Sequence, residues 1–171
     1  MTRLAPQSNI ILIGMPGVGK STVGVLLAKA TSRDFLDTDV LIQRSHDRRL
    51  QDIIDSDGLD AFRAVEEQAI LSLDLRSHVI ATGGSVVYST PAMLHLKSSG
   101  PAVYLYLPFD RLQSRVADLD GRGIVREPGQ SFRDLYDSRR PLYQRFADFT
   151  IDCTALSHEN VVAAVIAALD A

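Results

Sequence analysis

The sequence predicts an α/β fold, a three-layer α/β/α sandwich with about five parallel strands in one sheet. Short apolar runs recur along the chain, stretches with helical spacing separate them, and no repeat or linker divides the 171 residues. Strands that are apolar nearly throughout are typical of a parallel sheet covered on both faces, because helices connect its strands. The length suits one domain spanning residues 1–171.

Each element follows from its local pattern. Residues 9–13 form a β-branched apolar run that leads directly into glycines, which indicates a strand, and residues 22–30 carry apolar side chains at helical spacing. Further strands are predicted at residues 35–36, 78–82, 102–107 and 149–152. Further helices are predicted from residue 38 and at residues 50–54, 59–74, 91–98, 108–119, 131–147 and 159–169. Residues 119–130 have no clear period and are long enough to act as a mobile lid.

The composition argues against several classes of function. A net charge of -3 gives no global electrostatic reason to bind nucleic acid or an anionic membrane surface. The apolar runs are far shorter than the roughly 18 residues that cross a bilayer. The single cysteine, Cys153, allows no internal disulfide, and the first residues lack the apolar segment of a signal peptide. We therefore expect a cytoplasmic monomer whose partner is a small molecule.

The strongest signal follows the first predicted strand. Residues 14–21 match the phosphate-binding loop G-x-x-x-x-G-K-[ST] in full, between a strand and a helix. Glycines let backbone N–H groups turn toward phosphate oxygens, and Lys20 is expected to reach the β- and γ-phosphates while Ser21 takes one Mg²⁺ position. The residues expected at the nucleotide are Gly14, Met15, Pro16, Gly17, Val18, Gly19, Lys20, Ser21 and Thr22. The alternative is a glycine-rich turn with a solvated lysine, which this context disfavours.

Two carboxylates lie at the end of the second predicted strand. Asp37 and Asp39 are two residues apart, so strand alternation turns both toward one face, at the strand end that lines the ligand crevice. We expect one of them to hold Mg²⁺ through water and the other to accept a proton from a substrate hydroxyl. The alternative is that Thr38 or Asp39 caps the following helix.

Arginines and glycines supply the other candidate contacts. Arg63 and Glu66 share a helix face, where the glutamate is expected to hold the guanidinium in place, with a solvated face as the alternative. Gly83 and Gly84 follow the third strand and are expected to offer free backbone N–H groups, with an ordinary turn as the alternative. Arginine suits carboxylate and phosphate recognition, and six arginines lie within residues 115–140. They are Arg115, Arg122, Arg126, Arg133, Arg139 and Arg140.

The motifs occur in one order along nearly the whole chain. They are the phosphate loop, Asp37-Thr38-Asp39, Phe62-Arg63 with Glu66, Gly83-Gly84, Arg115, Arg122 and Arg139-x-Pro141-Leu142-Tyr143. This ordered set resembles the shikimate kinase family. The resemblance implies a P-loop kinase fold, ATP and Mg²⁺ as cofactors, and phosphorylation of the 3-hydroxyl of shikimate, a step of aromatic amino-acid biosynthesis.

The resemblance also implies roles for individual residues. The acceptor would be bound by Asp39, Arg63, Gly83, Gly84 and Arg139. Asp39 would hold the acceptor hydroxyls and serve as the candidate base, while the two arginines would clamp the carboxylate. Arg122 would close over the site from the lid as a catalytic group, and Arg115 would lie beside the adenine. Lys20 would act on the phosphates, and Ser21 and Asp37 would hold the metal.

Two positions depart from the family pattern. Ser85 stands where a third glycine is usual, and Gly123 stands where a proline usually follows the lid arginine. A side chain at position 85 is expected either to crowd the acceptor ring or to add a hydroxyl contact. Two alternatives therefore stay open: a related kinase for another small hydroxylated acid or polyol, and a regulatory nucleotide-binding module without turnover. The presence of Lys20 and both aspartates speaks against the second.

Overall fold

The strands of the chain form one parallel sheet. The computed structural model describes residues 7–116, 124–127 and 129–171. Its strands are β1 (Ile10–Ile13), β2 (Asp34–Asp37), β3 (His78–Ala81), β4 (Ala102–Tyr106) and β5 (Phe149–Asp152). They pair in parallel in the order β2-β3-β1-β4-β5. The predicted α/β fold with about five parallel strands is confirmed.

Helices connect these strands. They are α1 (Lys20–Thr31), α2 (Thr38–His46), α3 (Leu50–Asp57), α4 (Leu59–Leu71), α5 (Thr90–Ser99), α6 (Phe109–Val116), α7 (Phe132–Phe146) and α8 (His158–Leu169), with a 3₁₀ turn at Val86–Tyr88. Type and order agree with the sequence prediction, but β2 starts one residue earlier and ends one residue later than predicted. The 3₁₀ turn was not predicted. No helix among the described residues has the length and apolar character to span a membrane.

The position of β1 in the sheet determines where a ligand can bind. β1 is central, with β3 on one side and β4 on the other, and all four of its residues are completely buried. The connections lead to opposite edges of the sheet from this point, and parallel sheets bind ligands at the carboxyl end of such a strand. Residues 14–21 follow β1 directly, so the topology places the phosphate loop in this crevice.

A second, smaller core supports the helices beside the crevice. It joins α2, α3 and α4 through Ile42, Ile53 and Phe62, and Val125 packs on the same cluster. Val125 belongs to the predicted lid, residues 119–130, of which the structure describes residues 124–127, 129 and 130. Arg122 and Gly123 lie outside the described residues, and the movement of the lid stays a prediction.

A buried asparagine joins three segments at the opposite end of β1. The side-chain Nδ2 of Asn9 donates to the carbonyl oxygen of Leu75 at 2.7 Å and to the hydroxyl of Ser99 at 3.0 Å. Its Oδ1 accepts from the backbone N–H of His78 at 2.9 Å. Asn9 is 1% exposed, so these contacts take the place of hydrogen bonds to water. They fix the start of β3 and the end of α5 against β1.

We expect Asn9→Ala to destabilise the fold, because it leaves buried donors and acceptors without partners. The free energy of unfolding in urea should fall by about 2–4 kcal/mol. Asn160, the other asparagine of the chain, is exposed in α8, and Asn160→Ala is the matched control with an expected change below about 0.5 kcal/mol. Equal stability of the two variants would show that the Asn9 contacts add nothing to the fold.

Candidate active site

A cavity of about 580 Å³ opens at the carboxyl end of the sheet. It is lined by Pro16, Gly17, Gly19, Lys20, Ser21, Thr22, Asp39, Leu50, Thr82, Gly84, Ser85, Arg115, Ile124, Val125, Arg139 and His158. These residues come from the phosphate loop with the start of α1, the starts of α2, α3 and α8, the end of β3 with the turn after it, α6, the described lid residues and α7. The fold therefore brings together most of the residues that the sequence singled out.

The phosphate loop closes on its own lysine. Lys20 begins α1, and its Nζ donates to the carbonyl oxygens of Gly14 at 2.7 Å and Met15 at 3.0 Å. Gly19, just before the helix, has φ +104°, a conformation that side chains rarely adopt. Burial lowers the pKa of Lys20 to about 8, against the opposing charge of Asp39. The ammonium form therefore still predominates at neutral pH.

Asp37 combines two functions through its two oxygens. Its Oδ1 accepts from the backbone N–H groups of Asp39 at 3.0 Å and Val40 at 3.3 Å, which caps α2. Its Oδ2 accepts from the Ser21 hydroxyl at 2.5 Å. The alternative that Thr38 or Asp39 provides the cap is therefore wrong, because Asp37 provides it. The expected placement of Asp37 beside Ser21 is found.

Asp39 lines the cavity from the first turn of α2. The expectation that strand alternation sets its direction is wrong, because β2 ends at Asp37 and α2 begins at Thr38. Asp39 is half-buried, and burial together with the neighbouring Asp37 raises its pKa to about 6, although Lys20 and Arg139 oppose the shift. The carboxylate is thus mainly ionised at neutral pH and more basic than an exposed one.

The two glycines after β3 are required by close contacts. A Cβ on Gly83 would lie 2.5 Å from Glu66 Oε1 and 2.6 Å from Asp39 Oδ1. A Cβ on Gly84 would lie 2.9 Å from Arg139 Nη1 and 3.0 Å from Pro16 Cδ. The backbone of this turn therefore touches the carboxylates on one side and the guanidinium on the other.

The backbone groups of this turn are engaged within the protein. The N–H of Gly83 donates to the Thr38 hydroxyl at 3.0 Å, so the expectation of a free N–H at Gly83 is wrong. The carbonyl oxygen of Gly84 accepts from the buried Tyr143 hydroxyl at 2.6 Å. The local hydrogen bonds hold the turn in place between α2 and α7.

Arg139 is a buried cation with hydrogen-bonding capacity left over. It lies in α7, is 1% exposed, and donates from Nη2 to the carbonyl oxygen of Val125. Its Nε and Nη1 have no hydrogen-bond partner among the described residues. The guanidinium also lies 5.2 Å from the centre of the Tyr88 ring. Buried donors without partners favour an anion from outside the chain.

The expected pairing of Arg63 with Glu66 is wrong. Arg63 forms ion pairs with Glu127 at 2.8 Å and with Asp60 at 3.5 Å, and it lies 5.1 Å from the centre of the Tyr88 ring. Its Nε is buried and has no partner among the described residues. Arg63 and Arg139 thus flank one aromatic ring, with Arg63 beside the cavity rather than among the residues that line it.

Glu66 is bonded to Ser85 instead. Its Oε2 accepts from the Ser85 hydroxyl at 2.7 Å, and both side chains are buried. Ser85 has φ -87°, so its backbone does not require the glycine that is usual there. The hydroxyl is thus engaged by Glu66 within the protein, and both effects expected on the acceptor stay predictions.

Sequence reasoning missed some cavity residues. His158 was given no role, yet it lines the cavity, and its Nε2 lies 3.2 Å from the position of a Cβ on Gly19. Its place at the start of α8, beyond the carboxyl end of β5, was the available signal. Arg115 also lines the cavity, and its Nη1 donates to the carbonyl oxygen of Val18 in the phosphate loop at 3.4 Å; its place beside the adenine stays a prediction.

Comparison with known proteins identifies the family. The shikimate kinase family model matches residues 16–170. The chain belongs to the shikimate kinase family. A shikimate kinase of Caldanaerobacter subterraneus is 34% identical over 95% of this chain and 96% of that protein. A shikimate kinase of Alteromonas mediterranea is 36% identical over 95% and 97%.

A solved relative shows the same fold with a ligand. Shikimate kinase from Acinetobacter baumannii, in complex with shikimate, superposes with a TM-score of 0.86 and 32% identity, over 95% of this chain and 93% of that chain. Membership of the shikimate kinase family makes this chain a phosphotransferase that uses ATP. The family resemblance seen in the sequence is confirmed.

We expect the stability of the chain to fall as the pH rises from about 4.5 to 7. Burial raises the pKa of Glu66 to about 7 from its ordinary 4.5, so in this range the folded chain holds a proton that the unfolded chain releases. The stabilisation is complete below the unfolded pKa and is lost as the pH rises through the folded one. Glu66→Gln stays neutral and should remove the part of this loss that Glu66 contributes, on the order of 3 kcal/mol, while the part contributed by Asp39, whose pKa is also raised, should remain.

The free energy of unfolding in urea is measured for the unmodified chain and for Glu66→Gln at a series of pH values. Glu67→Gln, at the next position of α4, is the control and should retain the pH dependence of the unmodified chain. If Glu66→Gln shows the same pH dependence as the unmodified chain, Glu66 is ionised in the folded state and the assignment is wrong.

Proposed function

We propose that this chain transfers the γ-phosphoryl group of ATP to the 3-hydroxyl of shikimate in the cavity at the carboxyl end of the sheet. One observation supports this more than any other: a phosphate-loop lysine, a carboxylate and a buried arginine with unpaired donors line the same cavity. They match a phosphate, a hydroxyl and a carboxylate, the groups that ATP and a hydroxy acid bring together. Family membership supports the same reaction.

The nucleotide end of the site is assigned to the phosphate loop. Lys20 would exchange its contacts with the two loop carbonyl oxygens for the β- and γ-phosphates, where its charge offsets the negative charge that develops. Arg115 would lie beside the adenine, and Arg122 would close from the lid. Exclusion of water by the lid prevents loss of the phosphoryl group to solvent.

Ser21 and Asp37 are assigned to Mg²⁺. Their side-chain oxygens are 2.5 Å apart at the start of α1, and oxygen donors are the ligands that Mg²⁺ prefers. The donor set therefore fits the ion. When bound, the ion neutralises charge on the phosphate oxygens. Asp37 keeps its other oxygen on the N-terminus of α2, which holds the carboxylate in position.

The acceptor end is assigned to Asp39 and the two arginines. Asp39 would accept the proton of the 3-hydroxyl as the hydroxyl oxygen bonds to the γ-phosphorus and the bond to the ADP oxygen breaks. Its raised pKa of about 6 makes it a better base than an exposed aspartate while leaving it ionised at neutral pH. Arg139 and Arg63 would bind the carboxylate of the acceptor. The backbone at Gly83 and Gly84 would form the wall of the site between Asp39 and Arg139.

We further propose that the chain is a single domain spanning residues 1–171 that acts as a cytoplasmic monomer on small molecules. The net charge of -3 offers no attraction for nucleic acid or an anionic membrane. A cavity of about 580 Å³ suits a nucleotide and a small acid rather than a macromolecule.

The reaction is tested by ADP release from MgATP, with shikimate as acceptor and with gluconate, quinate and homoserine in parallel. Rapid, saturable release is expected with shikimate alone. Lys20→Ala should abolish ADP release without unfolding the domain. Lys29→Ala, at the exposed end of the same helix, should leave ADP release unchanged. Release with a different acceptor would identify a related kinase, and ATP binding without acceptor-dependent release would identify a regulatory module.

We expect Arg139→Lys to weaken acceptor binding with little effect on ATP. A lysine keeps the charge but loses the planar pair of donors, at a cost on the order of 2–5 kcal/mol in acceptor affinity. Arg140→Lys, at the adjacent exposed position, is the matched control. The KM for shikimate and the KM for ATP are measured in each variant, and an unchanged KM for shikimate in Arg139→Lys would remove Arg139 from the acceptor site.

A further inference from the structure

The buried hydrogen bond between Ser85 and Glu66 has no role in the mechanism above. It joins the turn after β3 to α4. Ser85 is 2% exposed and Glu66 is 3% exposed, so solvent does not compete for either side chain. The bond of 2.7 Å engages Oε2 and leaves Oε1 without a partner among the described residues.

This bond determines the direction of the carboxylate. The last torsion of a glutamate has a broad, two-fold preference, so the side chain alone does not fix the plane of its oxygens. With Oε2 held by Ser85, Oε1 points to Gly83, where a Cβ would lie 2.5 Å from it. Asp39 Oδ1 lies 2.6 Å from the same point. The two carboxylates therefore converge on one place, the acidic corner formed by Asp39, Glu66 and Gly83.

Charged groups surround the acidic corner on every side. Asp39 faces Glu66 from α2, Arg139 from α7, Arg63 from the preceding turn of α4, and Lys20 from α1. A rotation of the Glu66 carboxylate would change the field and the space at Asp39, which lines the cavity. A small movement in this corner is therefore transmitted to the candidate base.

We propose that Ser85 is a positioning residue for the acceptor: by holding Oε2 of Glu66, its hydroxyl fixes the acidic corner against which the acceptor hydroxyl is bound. The proposal rests on the proposed function, since it assigns the acceptor end of that same site. Ser85 acts through Glu66 and has no assigned contact with the reacting atoms.

The chain contains a matched pair for comparison. Ser89 donates to Glu67 Oε2 at 2.6 Å, so the same residue types join the next position of α4 to the N-terminus of α5. Neither Ser89 nor Glu67 lines the cavity. Ser89 also caps α5, so Ser89→Ala is expected to lower stability without changing the kinetic constants for the acceptor.

The test is a kinetic double-mutant cycle on the full chain. Ser85→Ala should raise the KM for shikimate by about tenfold and leave the KM for ATP within about twofold. Glu66→Gln should raise the KM for shikimate as well, and adding Ser85→Ala to Glu66→Gln should cause no further increase, because the serine acts only through the carboxylate. Ser89→Ala and Glu67→Gln should match the unmodified chain in both KM values, and thermal unfolding confirms that each variant is folded.

Three outcomes overturn the proposal. An unchanged KM for shikimate in Ser85→Ala would leave the hydroxyl with a structural role only, and equal increases in the two KM values would indicate a general disturbance of the cavity. Additive effects in the cycle would show that Ser85 does not act through Glu66. Failure of the proposed function is recognised separately, because the unmodified chain would then show no shikimate-dependent release of ADP.

Discussion

The site depends on four ionisable side chains held close together at the carboxyl end of the sheet, three of them buried and Asp39 half-buried. Lys20 and Arg139 supply the positive charges and Asp39 a negative one, while Glu66 supplies a carboxyl group that its raised pKa of about 7 leaves only partly ionised at neutral pH. Burying a charge is costly unless a partner compensates it, and here the compensation is incomplete. Arg139 keeps two unpaired nitrogens and Glu66 one unpaired oxygen among the described residues. The fold thus holds recognition groups ready for a ligand that completes the pairing.

The surrounding backbone positions these four ionisable groups. Gly83 and Gly84 let the turn after β3 pass between carboxylates and guanidinium so closely that a Cβ at either position would displace the charged groups. Asp37 caps α2 and thereby fixes the direction of Asp39, two residues later. The Tyr143 hydroxyl holds the carbonyl group of Gly84 from α7, the same helix that carries Arg139. Ordinary caps and turn contacts therefore set the geometry of the charged groups.

Signals local in sequence were predictive, and those that depend on tertiary partners were not. The phosphate loop was predicted in full because its eight residues are contiguous and its flanking strand and helix have clear patterns. The spacing of Arg63 and Glu66 predicted a pair, but Glu66 bonds to Ser85, and Arg63 pairs with Glu127, distant in sequence, and with Asp60 on the other side along the helix. Spacing shows which residues share a helix face, but it does not show which residues of other segments form hydrogen bonds or ion pairs with them. No sequence motif marks His158, and its place in the cavity follows only from the fold, which brings the start of α8 there.

The affinity of the chain for shikimate and for its methyl ester tests the account most directly. The ester keeps the ring and all three hydroxyl groups but removes the negative charge that the unpaired nitrogens of Arg139 are held to receive. The account predicts that the ester binds on the order of 100-fold more weakly, since a buried cation is left without its anion. Equal affinity for acid and ester would contradict it, because the buried arginine would then have no part in recognising the acceptor.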